Sequence, residues 1–178
     1  MDIKLTEEQS QLQDMASRFM DKECSFDFVR RMEQESDIGF CRDMWAQFAQ
    51  MGWLGMIVPE EFDGMGMGIL DLVVLIRELG RHVCPSPFLY TAVLAADLIA
   101  NSGSEDQQRD LLPGIVAGDT IYALGYQEYS RFFRPEHIKL RAEAHADGYA
   151  LSGSKSRGRK ERKRDPEGGT ENTKQGKS

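Results

Sequence analysis

Several things are scarce in this 178-residue chain, and each scarcity removes a class of function. No apolar run approaches the roughly 20 residues a membrane-spanning helix needs. The longest, Ile69–Ile76 and Phe88–Ile99, are broken or followed by Asp, Arg or Glu. The first residues, Met1-Asp-Ile-Lys-Leu-Thr-Glu-Glu, are acidic and carry no signal-peptide stretch, so a cytoplasmic protein is expected. Cysteine is limited to Cys24, Cys41 and Cys84, widely spaced and without a C-x-x-C pair. That pattern predicts reduced thiols and neither a disulfide frame nor a zinc site. The histidines, His82, His137 and His145, are too scattered to suggest a metal centre.

Large apolar residues are absent altogether beyond Lys155. A stretch so polar cannot offset chain entropy of roughly 1–2 kcal/mol per residue, so residues 156–178 are expected to be a disordered tail. Charge marks the same break. Ser152–Ser178 holds nine Lys or Arg against four Asp or Glu, whereas the whole chain carries −7. An acidic body thus meets a basic tail. Arg157–Arg164 could touch phosphate backbones nonspecifically, but no aromatic residue or folded reader accompanies it. Nucleic-acid binding is therefore the weaker reading of this tail.

What remains is organised. Thr6-Glu-Glu-Gln9 is a capping box opening a helix with Leu12, Met15, Ala16 and Phe19 on one face. A second amphipathic helix carries Phe40, Met44, Trp45, Phe48 and Met51, with Gly52 placed for a left-handed end. The polar stretch Cys24–Gly39 between them predicts a short helix and a loop. Trp53–Val58 is apolar and stops at Pro59; Glu60–Gly68 is an acid- and glycine-rich loop. Gly64-x-Gly66-x-Gly68 lacks the spacing and the lysine of a nucleotide loop, so a flexible turn is expected.

Ile69–Leu79, closed by Gly80, and Phe88–Ala100 predict two buried helices of a bundle. Ser104-Glu-Asp-Gln107 is a second capping box, with Pro113-Gly114 expected to end its helix. The period then shortens to two. Ile121–Leu124 and Ile138–Ala144 predict strands, and Asp147-Gly148 a tight hairpin with Tyr149–Leu151 returning. The expectation is a mainly α protein: a helical domain over 1–120, an incomplete β segment over 121–155, and the tail over 156–178. One hairpin is too little sheet to stand alone.

Five of these segments, in this order, resemble the acyl-CoA dehydrogenase family. They are Leu5–Gln9, Gly52–Gly64, Glu78–Arg81 with Pro85–Pro87, Gly103–Gly118, and Asp147–Lys155. The resemblance implies an amino-terminal helical bundle, then a β domain, then a carboxy-terminal helical domain that this chain lacks. It implies FAD, an acyl-CoA substrate, and homo- or hetero-oligomers of dehydrogenase subunits. The family reaction is α,β-desaturation of an acyl thioester, in which a carboxylate removes the Cα proton and hydride passes to the flavin.

Tyr122–Glu128 resembles the family's first flavin- and acyl-contacting strand, which implies cofactor contacts from Leu124, Tyr126, Gln127 and Ser130. The more common Thr-Glu-Pro is replaced by Gln127-Glu128-Tyr129, closer to small subunits of heteromeric dehydrogenases with Gln-Glu-Pro-x-Ser-Arg. The catalytic glutamate belongs to the missing domain. No catalytic residue is assigned, and Glu60, Glu61 and Glu78 read as solvated loop and helix charges. Met65, Met67, Phe88, Leu89 and Tyr90 could approach an acyl chain, with core packing the simpler expectation. The chain alone is expected to hold FAD weakly or not at all and to be inactive; the alternative is a non-catalytic accessory subunit.

Overall fold

A computed structural model of the chain describes residues 4–126, 128, 137–145 and 148–155. They divide between two compact units, Met1–Leu124 and Gly125–Ser178. The first is helical and the second holds a two-stranded sheet. The mainly α expectation therefore holds. The tail from Ser156 onward lies outside the described residues.

In the first unit, helix α1 spans Glu7–Glu23 and opens on the capping box read from the sequence. The Gln9 amide donates to Thr6 Oγ1 at 3.2 Å, and the Thr6 amide donates to Gln9 Oε1 at 3.1 Å. Helix α2 spans Phe26–Glu35 and α3 spans Arg42–Gln50. Gly52 then takes φ +73°, a left-handed turn that costs glycine no Cβ clash. Short 3₁₀ turns at Trp53–Gly55 and Glu60–Phe62 lead into α4, Ile69–Arg81. A π-helical stretch, Leu89–Ala95, runs directly into α5, Ala96–Ser102, and α6 covers Glu105–Val116. Its Ser104–Gln107 capping box also forms as read.

The core is aromatic. Trp53, Phe48, Trp45 and Phe88 are buried. The Phe48 and Trp53 ring centroids lie 5.1 Å apart, and Phe19 meets Trp53 edge-on at 5.4 Å. Such pairs add to the burial of their large area. Leu72, Leu75 and Leu79 of α4 close the core beside Ala16 and Met20 of α1. Polar cross-links run along the same pair of helices: Gln9 to Asp71, Gln13 to Glu78, and Asp21 to His82. Their order shows α1 and α4 running in the same sense. A smaller apolar cluster gathers Val58, Phe62, Ala96, Leu112 and Ile115.

Four local expectations are corrected. Helix α4 does not stop at Gly80 but continues to Arg81, whose guanidinium reaches back to Glu78. Pro113 does not end α6; it lies inside, because the buried Leu112 and Ile115 on either side anchor the helix in the second cluster. Neither long apolar helix is buried all round, since Ile69, Leu70, Val73, Leu89, Tyr90, Leu94 and Leu98 are exposed. Finally, Ile121–Leu124 forms no strand. The Tyr122 N–H and C=O, which a strand partner would satisfy, are both taken by the Thr91 hydroxyl at 3.2 and 2.8 Å.

The second unit contains β1, Arg141–His145, and β2, Gly148–Ser152, paired antiparallel with His145 opposite Gly148. This agrees with the hairpin read from Asp147-Gly148, although β1 begins at Arg141 and not at Ile138, the Lys139 and Leu140 amides being taken by Glu128, and Asp147 itself lies outside the described residues.

Candidate functional site

Leu124 and Tyr126 fall on either side of the division between the two units. Leu124 ends the first with its side chain 38% exposed. Tyr126 belongs to the second and is half-buried. Gln127 and Ser130 lie outside the described residues. The structure thus describes two of the four candidate flavin contacts, one in each unit. An uncovered aliphatic side chain and a half-buried aromatic ring are chemically suited to the apolar faces of an isoalloxazine.

The segment leading to Leu124 is held by a residue that sequence reading passed over. Thr91 is fully buried inside the π-helical stretch. Its hydroxyl donates to the Tyr122 carbonyl oxygen and accepts from the Tyr122 amide, using both of its capacities at once. A lone polar residue in an apolar helical run was the available signal, because a buried hydroxyl must find a partner. π-Helical stretches are frequent at functional sites. This one separates the residues suggested for an acyl chain: Phe88 is core, while Leu89 and Tyr90 are exposed together with Leu94 and Leu98.

An open apolar groove of about 870 Å³ lies in the first unit beside this stretch. Val29 and Met32 of α2, Ile76 and Leu79 of α4, and Phe88 and Leu89 contribute its walls. Val83, also at the groove, takes φ +51°, an unfavourable region for a β-branched residue. Cys84 beside it has its thiol pushed up to about 12, chiefly by burial. That makes it a packing thiol and a poor nucleophile. All three cysteines are free, and no His/Cys/Asp/Glu group among the described residues could hold a metal ion.

The glycine-rich turn, expected to be flexible, is instead tied down by its own backbone hydrogen bonds. The Met65 amide donates to the Gly55 carbonyl at 2.9 Å, and the Met67 amide to that of Met56 at 2.7 Å. A Cβ at Gly64 would land on the Val58 carbonyl oxygen, so the loop is folded onto its own backbone. Met65 is exposed and Met67 half-buried.

Glu60 and Glu61 are exposed, in keeping with solvated charges. Glu78 is not: its side chain is fully buried. Gln13 Nε2 donates to Oε1 at 3.1 Å, Arg81 Nη1 to Oε2 at 3.4 Å, and Arg77 Nε lies 3.6 Å from Oε1. A buried carboxylate needs such partners to remain in the interior. Arg77 and Arg81 flanking Glu78 were the sequence signal for it. Its atoms are committed to holding α1 on α4.

The likenesses to known proteins agree with this geometry. The family model described as acyl-CoA dehydrogenase, N-terminal domain, matches residues 6–119. Mitochondrial isovaleryl-CoA dehydrogenase of Bos taurus is 29% identical over 153 residues, covering 85% of this chain and 36% of that protein. Among solved structures, the Tcur3481-Tcur3483 steroid ACAD G363A variant is 34% identical with a TM-score of 0.75, covering 84% of this chain and 40% of its own. The ChsE4-ChsE5 complex from Mycobacterium tuberculosis is 26% identical with a TM-score of 0.74, covering 87% and 41%. The chain therefore spans well under half the length of these proteins. No helix among the described residues is long and apolar enough to cross a membrane.

Proposed function

The chain belongs to the acyl-CoA dehydrogenase family, and from that premise we propose that it supplies the amino-terminal helical domain and a flavin-side segment of a FAD-dependent acyl-CoA dehydrogenase. In this reading residues 1–120 are the helical domain, 121–155 the first part of a β domain, and 156–178 an appended basic tail. Leu124, Tyr126, Gln127 and Ser130 lie along the cofactor. The exposed Leu89, Tyr90, Leu94 and Leu98 form an apolar wall that shields an acyl chain from water. Bound FAD supplies the hydride acceptor for α,β-desaturation. The observation carrying the proposal is the family match over residues 6–119, which covers the helical unit that presents this wall.

The 178 residues alone do not complete the reaction in this reading. A general base needs a carboxylate free to take the Cα proton. Glu78 is buried on Gln13 and two guanidiniums, and Glu128 is occupied by two amides and an ammonium. The base then lies outside these 178 residues. The exposed apolar residues of α4 and the π-helical stretch, and the likeness to two-component assemblies, favour an oligomer with dehydrogenase subunits. Nucleic-acid binding by the tail is the weaker alternative.

Spectroscopy on the purified chain, with FAD and then an acyl-CoA added, tests this. The expected result is no acyl-CoA-dependent bleaching of the flavin by the chain alone, and bleaching once a full-length homologous subunit is present. Stoichiometric FAD bleached by acyl-CoA without any second polypeptide would overturn the reading.

A further inference from the structure

Glu128 was noted in the sequence only as a neighbour of candidate flavin contacts. In the structure it is the hub of the second unit. Oε2 accepts the Lys139 amide at 2.7 Å, and Oε1 accepts the Leu140 amide at 2.9 Å. The Lys155 ammonium donates to Oε1 at 3.1 Å and also to the Tyr126 carbonyl at 3.4 Å. The Glu128 side chain is only 11% exposed and that of Lys155 26%.

The placement of these donors matters. Lys139 and Leu140 immediately precede β1, and Lys155 follows β2. One carboxylate therefore gathers the start of the hairpin, its end, and the segment carrying Tyr126. Two consecutive amides and an ammonium converge on one carboxylate, and charge-assisted bonds are about twice as strong as neutral ones. Close packing supports the same junction. Gly153 takes φ +145°, and a Cβ there would sit 2.8 Å from Leu140 Cα.

We propose that Glu128, braced by Lys155, is a positioning residue that holds Tyr126 against the hairpin and so sets where Tyr126 presents its ring to the flavin. The proposal rests on the reading of Tyr126 as a flavin contact. It assigns Glu128 no proton transfer. The Lys139 amide, then the Leu140 amide, with help from Lys155, hold its carboxyl below the usual glutamate range. A base for the Cα proton would need the opposite shift.

Two readouts on the full 178-residue chain test this, with helical circular dichroism as the folding control. The first is the exchange protection of the Lys139 and Leu140 amides, corrected for intrinsic rates. Glu128→Gln offers one acceptor oxygen in place of two, so protection should fall about tenfold, the size expected for losing a hydrogen bond to a charged group. Lys155→Met should fall partway, and Lys155→Arg should recover protection. In wild type, protection should persist below pH 4.5, the ordinary glutamate value, and be lost only at lower pH.

The second readout is FAD binding, followed by quenching of flavin fluorescence. Glu128→Gln and Lys155→Met should weaken it by about tenfold or more, with Lys155→Arg near wild type. Equal amide protection in wild type and Glu128→Gln would overturn the clasp. Freed amides with unchanged FAD affinity would overturn its role in positioning for the flavin. Protected amides with no FAD uptake by wild type would leave the clasp standing and overturn the flavin half of this proposal.

Discussion

The two units are held together by different physics. The first packs Trp53, Phe48, Met20, Leu54 and Leu72 out of water, and its polar links decorate that core. In the second, every residue of β1 and β2 is exposed, Tyr149 and Leu151 among them. Its described junction rests on the Glu128 carboxylate. Burial is non-directional and survives salt; charge-assisted bonds are directional and respond to pH and ionic strength. The helical unit should therefore stand on its own, whereas the hairpin should be easily loosened. An isolated two-stranded ribbon is marginal in water, so the exposed faces of Tyr149 and Leu151 suit a partner layer.

The largest test of this contrast is Phe48→Ala. Phe48 is fully buried and touches the Trp53, Phe19, Trp45 and Phe88 rings. The substitution should cost about 3–5 kcal/mol, read by urea unfolding with helical circular dichroism. Protection of the Lys139 and Leu140 amides should be unaffected under conditions where the helices remain folded. Simultaneous loss of both would break the contrast, because it would mean one cooperative unit.

Thr91→Val comes next. It keeps the volume but strands the Tyr122 N–H and C=O, so about 1–3 kcal/mol should be lost from the helical unit. A neutral outcome would mean that these groups find other partners once the hydroxyl is gone. Gly118→Ala should cost about 1–2 kcal/mol from its φ of +78° alone. The added Cβ would also lie 3.1 Å from Ala49 Cβ, beside the Trp45 indole that donates to the Gly118 carbonyl at 2.9 Å. Wild-type stability in this variant would show that the end of α6 is not tied to α3 through that contact.

The contrast also explains what could be read from sequence. Capping boxes at Thr6 and Ser104, the glycine end at Gly52 and the hairpin register are local rules, and each appears where its residues stand. The failures involve partners distant in sequence. Pro113 stays helical because Leu112 and Ile115 are buried elsewhere in the fold. Ile121–Leu124 has a strand pattern, but a hydroxyl about 30 residues earlier takes the Tyr122 N–H and C=O. Glu78 looks like a surface charge until Gln13 is brought against it. The candidate site was legible only by likeness, since Leu124 and Tyr126 carry no local signal of a cofactor.

The smallest effect separates polar links inside the first unit from its core. His82 Nδ1 lies 2.9 Å from the Glu78 carbonyl oxygen, and Nε2 lies 2.9 Å from Asp21 Oδ1. Both partners only accept, so both ring nitrogens must donate, and the imidazole is cationic in this arrangement. Burial opposes that charge and is the largest influence; the bonds to Asp21 and the Glu78 carbonyl outweigh it, Arg81 opposes them, and the net shift is upward from 6.5. Asp21 is lowered from 3.8, chiefly by the His82 bond. A raised histidine stabilises fully below its unfolded value and loses that contribution as pH rises through its folded value. A lowered aspartate contributes above its unfolded value and loses this as pH falls through the folded one. The link between α1 and α4 is thus strongest between 3.8 and 6.5. The melting temperature of wild type minus that of His82→Gln should be widest in this window and narrow as the solution becomes alkaline. A difference that stays constant with pH would mean that His82 acts through packing alone, like the aromatic core beside it.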